Sequence, residues 1–211
     1  MRLLLALSLV AALPAAAQPA FSVRAGVNAA TLTPQLYRDG TGRAGAAVSV
    51  YATLPLRGGL SLRPEALFSS EGVGVRPSTT TYTLEDGTEN VVESDGGALQ
   101  AEYLGLGAFV AFEAPAAGLS LGAYAGPTVT LKVRERSVDR SDGQTFENSS
   151  NVLDLSAIAA AGGVTARRGR TGLDLRYALS AHDIISRDLI AGGGAVRSSV
   201  ATAALVYQFG R

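Results

Sequence analysis

Between Leu119 and Val133 the chain alternates with a period of two. Leu119, Leu121, Ala123, Ala125, Val129, Leu131 and Val133 fall on one face, and Ser120, Gly122, Tyr124, Gly126, Thr128, Thr130 and Lys132 on the other. A period of two held over this length specifies a β-strand and is incompatible with a helix. Eight stretches carry such alternation: Phe21–Asn28, Arg43–Leu54, Leu60–Ser70, Ala98–Phe112, Leu119–Val133, Val152–Arg167, Thr171–Ser180 and Ser198–Phe209. Their connections are alternately long and short. Pro55–Gly59, Glu113–Gly118 and Arg168–Arg170 read as tight turns, whereas Thr31–Gly42, Glu71–Gly97, Arg134–Asn151 and Ala181–Arg197 are long and polar. An even strand number with short turns on one rim and long loops on the other predicts an all-β fold, an eight-stranded antiparallel up-and-down transmembrane β-barrel. The polar face of each strand then points into the lumen, where a soluble sandwich would turn it to water.

The start of the chain fits export. Met1-Arg2 is basic, Leu3–Leu13 is apolar except for Ser8, and Ala15-Ala16-Ala17 forms a small-residue cleavage site before Gln18. We expect a signal peptide over residues 1–17 and the barrel over 18–211. The apolar run falls short of the roughly 20 residues that a membrane-spanning helix requires, and no cysteine follows it to carry a lipid. Charged residues make up 17% of the chain, low against the ~25% of a soluble domain, which needs charge on its outer faces. Lys and Arg balance Asp and Glu at 18 each, so nothing points to nucleic acid. With no cysteine, disulfides and thiolate metal sites are ruled out, and no cofactor motif is present. A closed hydrogen-bond ladder must hold the fold together instead.

Parity selects the lumenal residues. Arg24, Arg63, Glu65, Lys132, Asp154, Asp174 and Arg176 all take the inward parity. In the sixth stretch this sets Asp154, Ser156, Ile158 and Ala160 inward against Leu153, Leu155, Ala157, Ala159 and Ala161, with Gly162-Gly163 marking a bulge. An eight-stranded barrel is only wide enough for side chains to fill. Charges packed there must pair, because an unpaired buried charge costs several kcal/mol. A salt-bridged plug is the expectation; a narrow or gated solute pore is the alternative.

Other constellations say less. Ser180, His182 and Asp183 are close in sequence, but Ser180 is predicted lumenal and His182 begins a loop, so no hydrolytic triad is indicated. Glu71–Gly97 carries Glu71, Glu85, Asp86, Glu89, Glu93 and Asp95 without the spacing of a calcium loop. Within it, Thr79–Leu84, Asp86-Gly87 and Asn90–Val92 suit a hairpin above the membrane. Gly42-x-x-Gly45 and Gly192-Gly193-Gly194 lack the strand-loop-helix setting of a phosphate loop. Tyr207 and Phe209 close the last strand; they resemble the terminal signal read by the barrel-assembly machinery and also suit an interfacial aromatic girdle.

Several ordered motifs carry a family resemblance. They are Arg24-Ala25-Gly26-Val27-Asn28, Gly42-Arg43-Ala44-Gly45, Leu60-Ser61-Leu62-Arg63-Pro64-Glu65-Ala66-Leu67-Phe68, Ala125-Gly126-Pro127, Asp174-Leu175-Arg176-Tyr177 and Leu205-Val206-Tyr207-Gln208-Phe209. In this order they resemble the outer-membrane β-barrel family typified by PorT-like proteins of the Bacteroidetes lineage. Gly105 and Gly107 depart from that family's more apolar fourth strand. The resemblance implies a barrel in the outer membrane of a Gram-negative-type bacterium. Its expected partners are outer-membrane lipid, the assembly machinery during biogenesis, and an extracellular or periplasmic protein. The functional expectation is a non-enzymatic scaffold or surface-interaction module with a plugged lumen. The alternatives are the pore, a lipid-modifying enzyme and a soluble periplasmic β-protein.

Overall fold

The computed structural model describes residues 18–33, 41–75, 77–83, 86–94, 96–141, 144–148, 156–180 and 197–209. Its strands are β1 (Ala20–Thr33), β2 (Thr41–Pro55), β3 (Leu60–Val75), β4 (Ser78–Thr83), β5 (Glu89–Ser94), β6 (Gly97–Ala116), β7 (Leu119–Ser141), β8 (Gln144–Asn148), β9 (Ser156–Arg168), β10 (Thr171–Ser180) and β11 (Arg197–Phe209). Among the described residues there is no helix. Eight strands form the barrel, in the order β6-β3-β2-β1-β11-β10-β9-β7, and β6 pairs with β7 to close it. Every pairing is antiparallel. The first and last strands meet where β1 zips onto β11, from Phe21 opposite Phe209 to Thr33 opposite Arg197. Closure leaves no barrel edge, so backbone groups find partners without water, as a hydrocarbon surround demands.

Short turns gather at one rim. Ala117 and Gly118 join β6 to β7 with φ of 49° and 80°, the pair of positive values that a type I′ hairpin needs to match strand twist. Gly169-Arg170 joins β9 to β10, and Leu56–Gly59 joins β2 to β3. Several strands run longer than their alternation predicts, although β10 keeps its expected bounds, Thr171–Ser180. β6 has 20 residues and β7 has 23, against the ~9–11 that a tilted crossing takes. Since the short turns pin one end, the surplus stands beyond the membrane at the other. There β8 folds back on the outer end of β7, Ser137 opposite Asn148 and Ser141 opposite Gln144. The expected hairpin of the acidic loop forms as β4 and β5, Ser78 opposite Ser94 through Thr83 opposite Glu89. Near its tip the Thr88 N–H donates to Asp86 Oδ1 at 2.9 Å, which holds that exposed carboxyl below its ordinary range.

The molecule is apolar outside and polar inside. Leu106 is 69% exposed and Leu205 68%, and Phe21, Val50, Leu104, Val129, Leu131, Val164, Leu173 and Leu175 share that outer face. Arg24, Arg63, Glu65, Asp174 and Arg176 are buried. A continuous apolar band of this extent is untenable in water and matches lipid.

One strand corrects the sequence reading. In β9 the inward set is Ala157, Ala159, Ala161, Gly163, Thr165 and Arg167; Ile158 is 50% exposed and Ala161 only 5%. The parity expected for Ile158 and Ala160 is therefore reversed over the described part of β9. Alanine suits either face, so the run of alanines misleads. The bulky residues decide: Ile158 and Val164 are six apart and share the outward parity. Nor is there a bulge at Gly162-Gly163. Both pair without a register break, opposite Ala125 and Tyr124 on β7 and opposite Tyr177 and Arg176 on β10.

Candidate functional site

The lumen is crossed at mid-height by charged and aromatic side chains from separate strands. Arg24 on β1 is the hub. Its Nη2 donates to Glu65 Oε1 of β3 at 2.5 Å, and its Nη1 donates to Asp174 Oδ1 of β10 at 3.0 Å and to the Tyr124 hydroxyl of β7 at 2.9 Å. Tyr124 in turn donates to Asp174 Oδ1 at 2.9 Å. Arg176 of β10 donates to the same Glu65 Oε1 at 2.8 Å, so one carboxylate oxygen bridges two guanidinium groups. Asp174 is 1% exposed and Phe109, packed beside the network, 0%. Aromatic rings fill the space between the charges. The Arg176 guanidinium lies 4.8 Å from the Phe109 ring centre, and the Phe109 and Tyr124 rings meet edge to face at 5.3 Å. Cation–π contact lets a desolvated arginine neighbour a ring without loss of charge stabilisation.

A second set lies toward the short-turn rim. Arg63 donates to Glu113 Oε1 at 3.2 Å and lies over the Tyr51 and Tyr124 rings, 4.5 and 4.8 Å from their centres. Glu113 Oε2 accepts from Arg167 at 2.6 Å and from the Ser120 hydroxyl at 3.2 Å. Toward the long-loop rim the wall changes character. A cavity of about 80 Å³ opens there, floored by Arg24 and Arg176 and walled by small residues such as Ala47, Ala157, Ala159 and Ala178. The lumen is thus occluded by charge at its middle and lower levels, with a small cavity above the hub beneath further buried polar groups such as Lys132 and Glu135.

Local structure fixes these positions. Tyr124 reaches the centre because β9 presents a glycine to it. A Cβ built at Gly163 would stand 2.6 Å from Tyr124 Cζ and Oη and from the Leu175 carbonyl oxygen. Gly163→Val is therefore expected to displace the ring and break both Tyr124 hydrogen bonds, lowering stability by about 1–3 kcal/mol in urea titrations of the lipid-inserted barrel. An unchanged midpoint would contradict this packing.

Residues 16–186 match the outer membrane protein beta-barrel domain. The chain belongs to that family. No functionally curated protein matches it. Similar solved structures include Ail, the attachment invasion locus protein of Yersinia pestis, crystallised with the heparin analogue sucrose octasulfate: 12% identity, 92% of this chain and 100% of that chain covered, TM-score 0.46. Neisserial surface protein A gives 15% identity, 92% and 100% coverage and a TM-score of 0.47. OprG from Pseudomonas aeruginosa gives 11%, 91% and 96% coverage, and 0.45.

Of the family barrel's seven lumenal candidates, the structure joins Arg24, Glu65, Asp174 and Arg176 in one network and places Arg63 just below it. Lys132 lies apart, paired with Glu135. Asp154 is outside the described residues, and the strand parity from which it was drawn is the one that β9 reverses. Tyr207 and Phe209 stand together on the outer face at the foot of β11, rings edge to face at 5.0 Å. Ser180 is buried and its Oγ accepts the Ser198 N–H at 2.8 Å; His182 lies outside the described residues. Among the described residues no group of three His, Asp or Glu side chains comes together.

Four members went unnoticed in the sequence, among them Arg167, which sits on β9, the strand whose expected parity is reversed. Tyr124 had the right parity, but a tyrosine on a mixed face carries no mark of its hydroxyl's role. Glu113 continues the inward parity of Phe109 and Ala111, which the expected turn at Glu113 cut short. Glu135 is concealed by a bulge. Glu102 pairs with Arg134 but Tyr103 with Lys132, so Val133 is the extra residue and residues three apart face the same way.

Proposed function

We propose that this outer-membrane barrel is a non-enzymatic surface-interaction module on a membrane scaffold whose lumen is closed by paired charge. The observation that carries this reading is the Arg24 hub, which ties β1, β3, β7 and β10 across a lumen that a barrel of eight strands barely opens. A protein built to conduct would keep its axis wet. Here the charged groups of the axis pair with one another, with Glu65 Oε2, Asp174 Oδ2 and Arg176 Nε left over, and the strand extensions are the parts that face a partner. The ordered motif set supports a PorT-like place within the family, and the start of the chain supports export with a cleaved signal peptide. Tyr207 and Phe209 serve assembly, as an aromatic pair that closes the last strand and is presented to the barrel-assembly machinery. The partner of the assembled barrel is an extracellular or periplasmic protein rather than a nucleic acid.

The β4–β5 hairpin is the first place to test. It carries two unpaired strand edges outside the barrel, with Thr81 and Val91 exposed. A photo-crosslinker at Thr81 or Val91 in native outer membranes is expected to yield a discrete adduct. Replacing Ser78–Ser94 by a short Gly-Ser turn should abolish that adduct while the barrel still inserts. A folded protein with no adduct from either position would overturn the reading. The pore reading rests on the upper cavity and is decided by conductance, taken up below.

A further inference from the structure

Among the described residues the short-turn rim carries exposed cations without exposed acids, whereas the long-loop end mixes Arg43, Arg134 and Arg197 with Asp86 and Glu89. At the short-turn rim, Arg57 sits in the β2–β3 turn and Arg168 and Arg170 flank Gly169 in the β9–β10 turn, all three exposed. Among the described residues no ion pair engages their guanidinium groups. The acid nearest this rim is Glu113, and both of its oxygens are already taken by Arg63 and Arg167. The exposed acids of the described chain, such as Asp86 and Glu89, lie at the other end.

Shape accompanies the charge. Between the β6–β7 and β9–β10 turns lies an open shelf of about 650 Å³, lined among others by Pro115, Leu119, Ser120, Arg167, Arg170 and Gln208. Leu119 starts the apolar outer face, and Leu121 continues it up the same strand. The shelf thus sets a guanidinium group directly below a lipid-facing apolar track. A guanidinium fork matches the geometry of a phosphate, and cationic side chains close to an anionic membrane surface each add attraction.

We propose that this rim is a binding site for an anionic glycerophospholipid of the leaflet on the short-turn side. Its headgroup phosphate sits on Arg170 in the shelf and on Arg168 just outside the shelf's lining, and its acyl chain runs along Leu119 and Leu121. The excess of unpaired guanidinium favours a lipid with net negative charge over a zwitterionic one, whose own cation meets like charge at the rim. The site borders the lower lumenal set through Ser120 and Arg167 and lies at the opposite end from the outer hairpins.

Native mass spectrometry of the full chain, released from micelles containing equal phosphatidylglycerol and phosphatidylcholine, tests the proposal. The wild type is expected to retain phosphatidylglycerol in preference. Each arginine removed should weaken that preference about fivefold, from the attraction of one cationic side chain near an anionic surface. Arg168→Gln with Arg170→Gln should bring the two lipids to near parity. Arg134→Gln, an exposed change on the opposite extension, should leave the preference intact. Both altered residues are exposed and Gly169 is retained, so folding is expected to persist, and a heat-modifiable band on a gel confirms it. Equal retention of the two lipids by wild type would overturn the site, as would an undiminished preference in the folded double variant. Displacement of the lipid by millimolar inorganic phosphate would show a free-phosphate site instead and would overturn the assignment to lipid.

Discussion

Arg24→Ala is expected to destabilise the barrel by roughly 3–5 kcal/mol, the cost of stranding buried charge when one partner is removed. The side chain holds Glu65 and Asp174 together and receives no help from solvent at that depth. Without it, two carboxylates face each other across a low-dielectric lumen with Arg176 as the remaining cation on Glu65. Reversible urea unfolding in lipid vesicles would measure the loss. The comparison that isolates the cause changes the whole set, Arg24, Glu65, Asp174 and Arg176, to leucine. Replacing a complete buried ionic cluster by apolar groups is far milder than breaking it, and in other proteins has been neutral or stabilising. A single-variant loss below about 1 kcal/mol, on the scale of an exposed ion pair, would show that the network is solvated and not a plug.

Leu106→Arg should be nearly as damaging for the opposite reason. Leu106 is the most exposed large apolar side chain of the described barrel at 69%, and it stands near the middle of β6. If that exposure is to hydrocarbon, a cation there costs between the ~1 kcal/mol of the interface and the ~2–4 kcal/mol of the bilayer midplane. In water the same change would be close to neutral or mildly favourable. Leu106→Ile, which keeps the apolar surface, should cost little. The same vesicle titration separates these outcomes, and a neutral Leu106→Arg would remove the membrane from the account.

Much of this architecture was legible because the strongest signals are physical necessities. β7 alternates cleanly since one face must be apolar for lipid and the other must fit a crowded lumen. The turns at Leu56–Gly59, Ala117-Gly118 and Gly169-Arg170 announce themselves through glycine, and the β4–β5 hairpin through Asp86-Gly87 between two threonine- and valine-bearing segments. What resisted reading has physical causes too. β9 is rich in alanine and glycine, which suit either face, so its parity depends on the sparse markers Ile158 and Val164. The Lys132–Glu135 pair depends on one extra residue in a ladder, and a bulge leaves no trace in composition. Which lumenal charges meet is set by the stagger of strands around the barrel. Arg24 and Asp174 are 150 residues apart in sequence, and strand pairing alone brings them into contact.

The lumen is expected to be closed by its own charges. Single-channel recording of the refolded, full-length protein in a planar bilayer tests this most directly. Wild type is expected to insert silently, and Arg24→Ala, by opening the hub, to show leak current. Discrete, reproducible conductance steps from the wild type would contradict the plug and turn the same arginines and carboxylates into the lining of a pore.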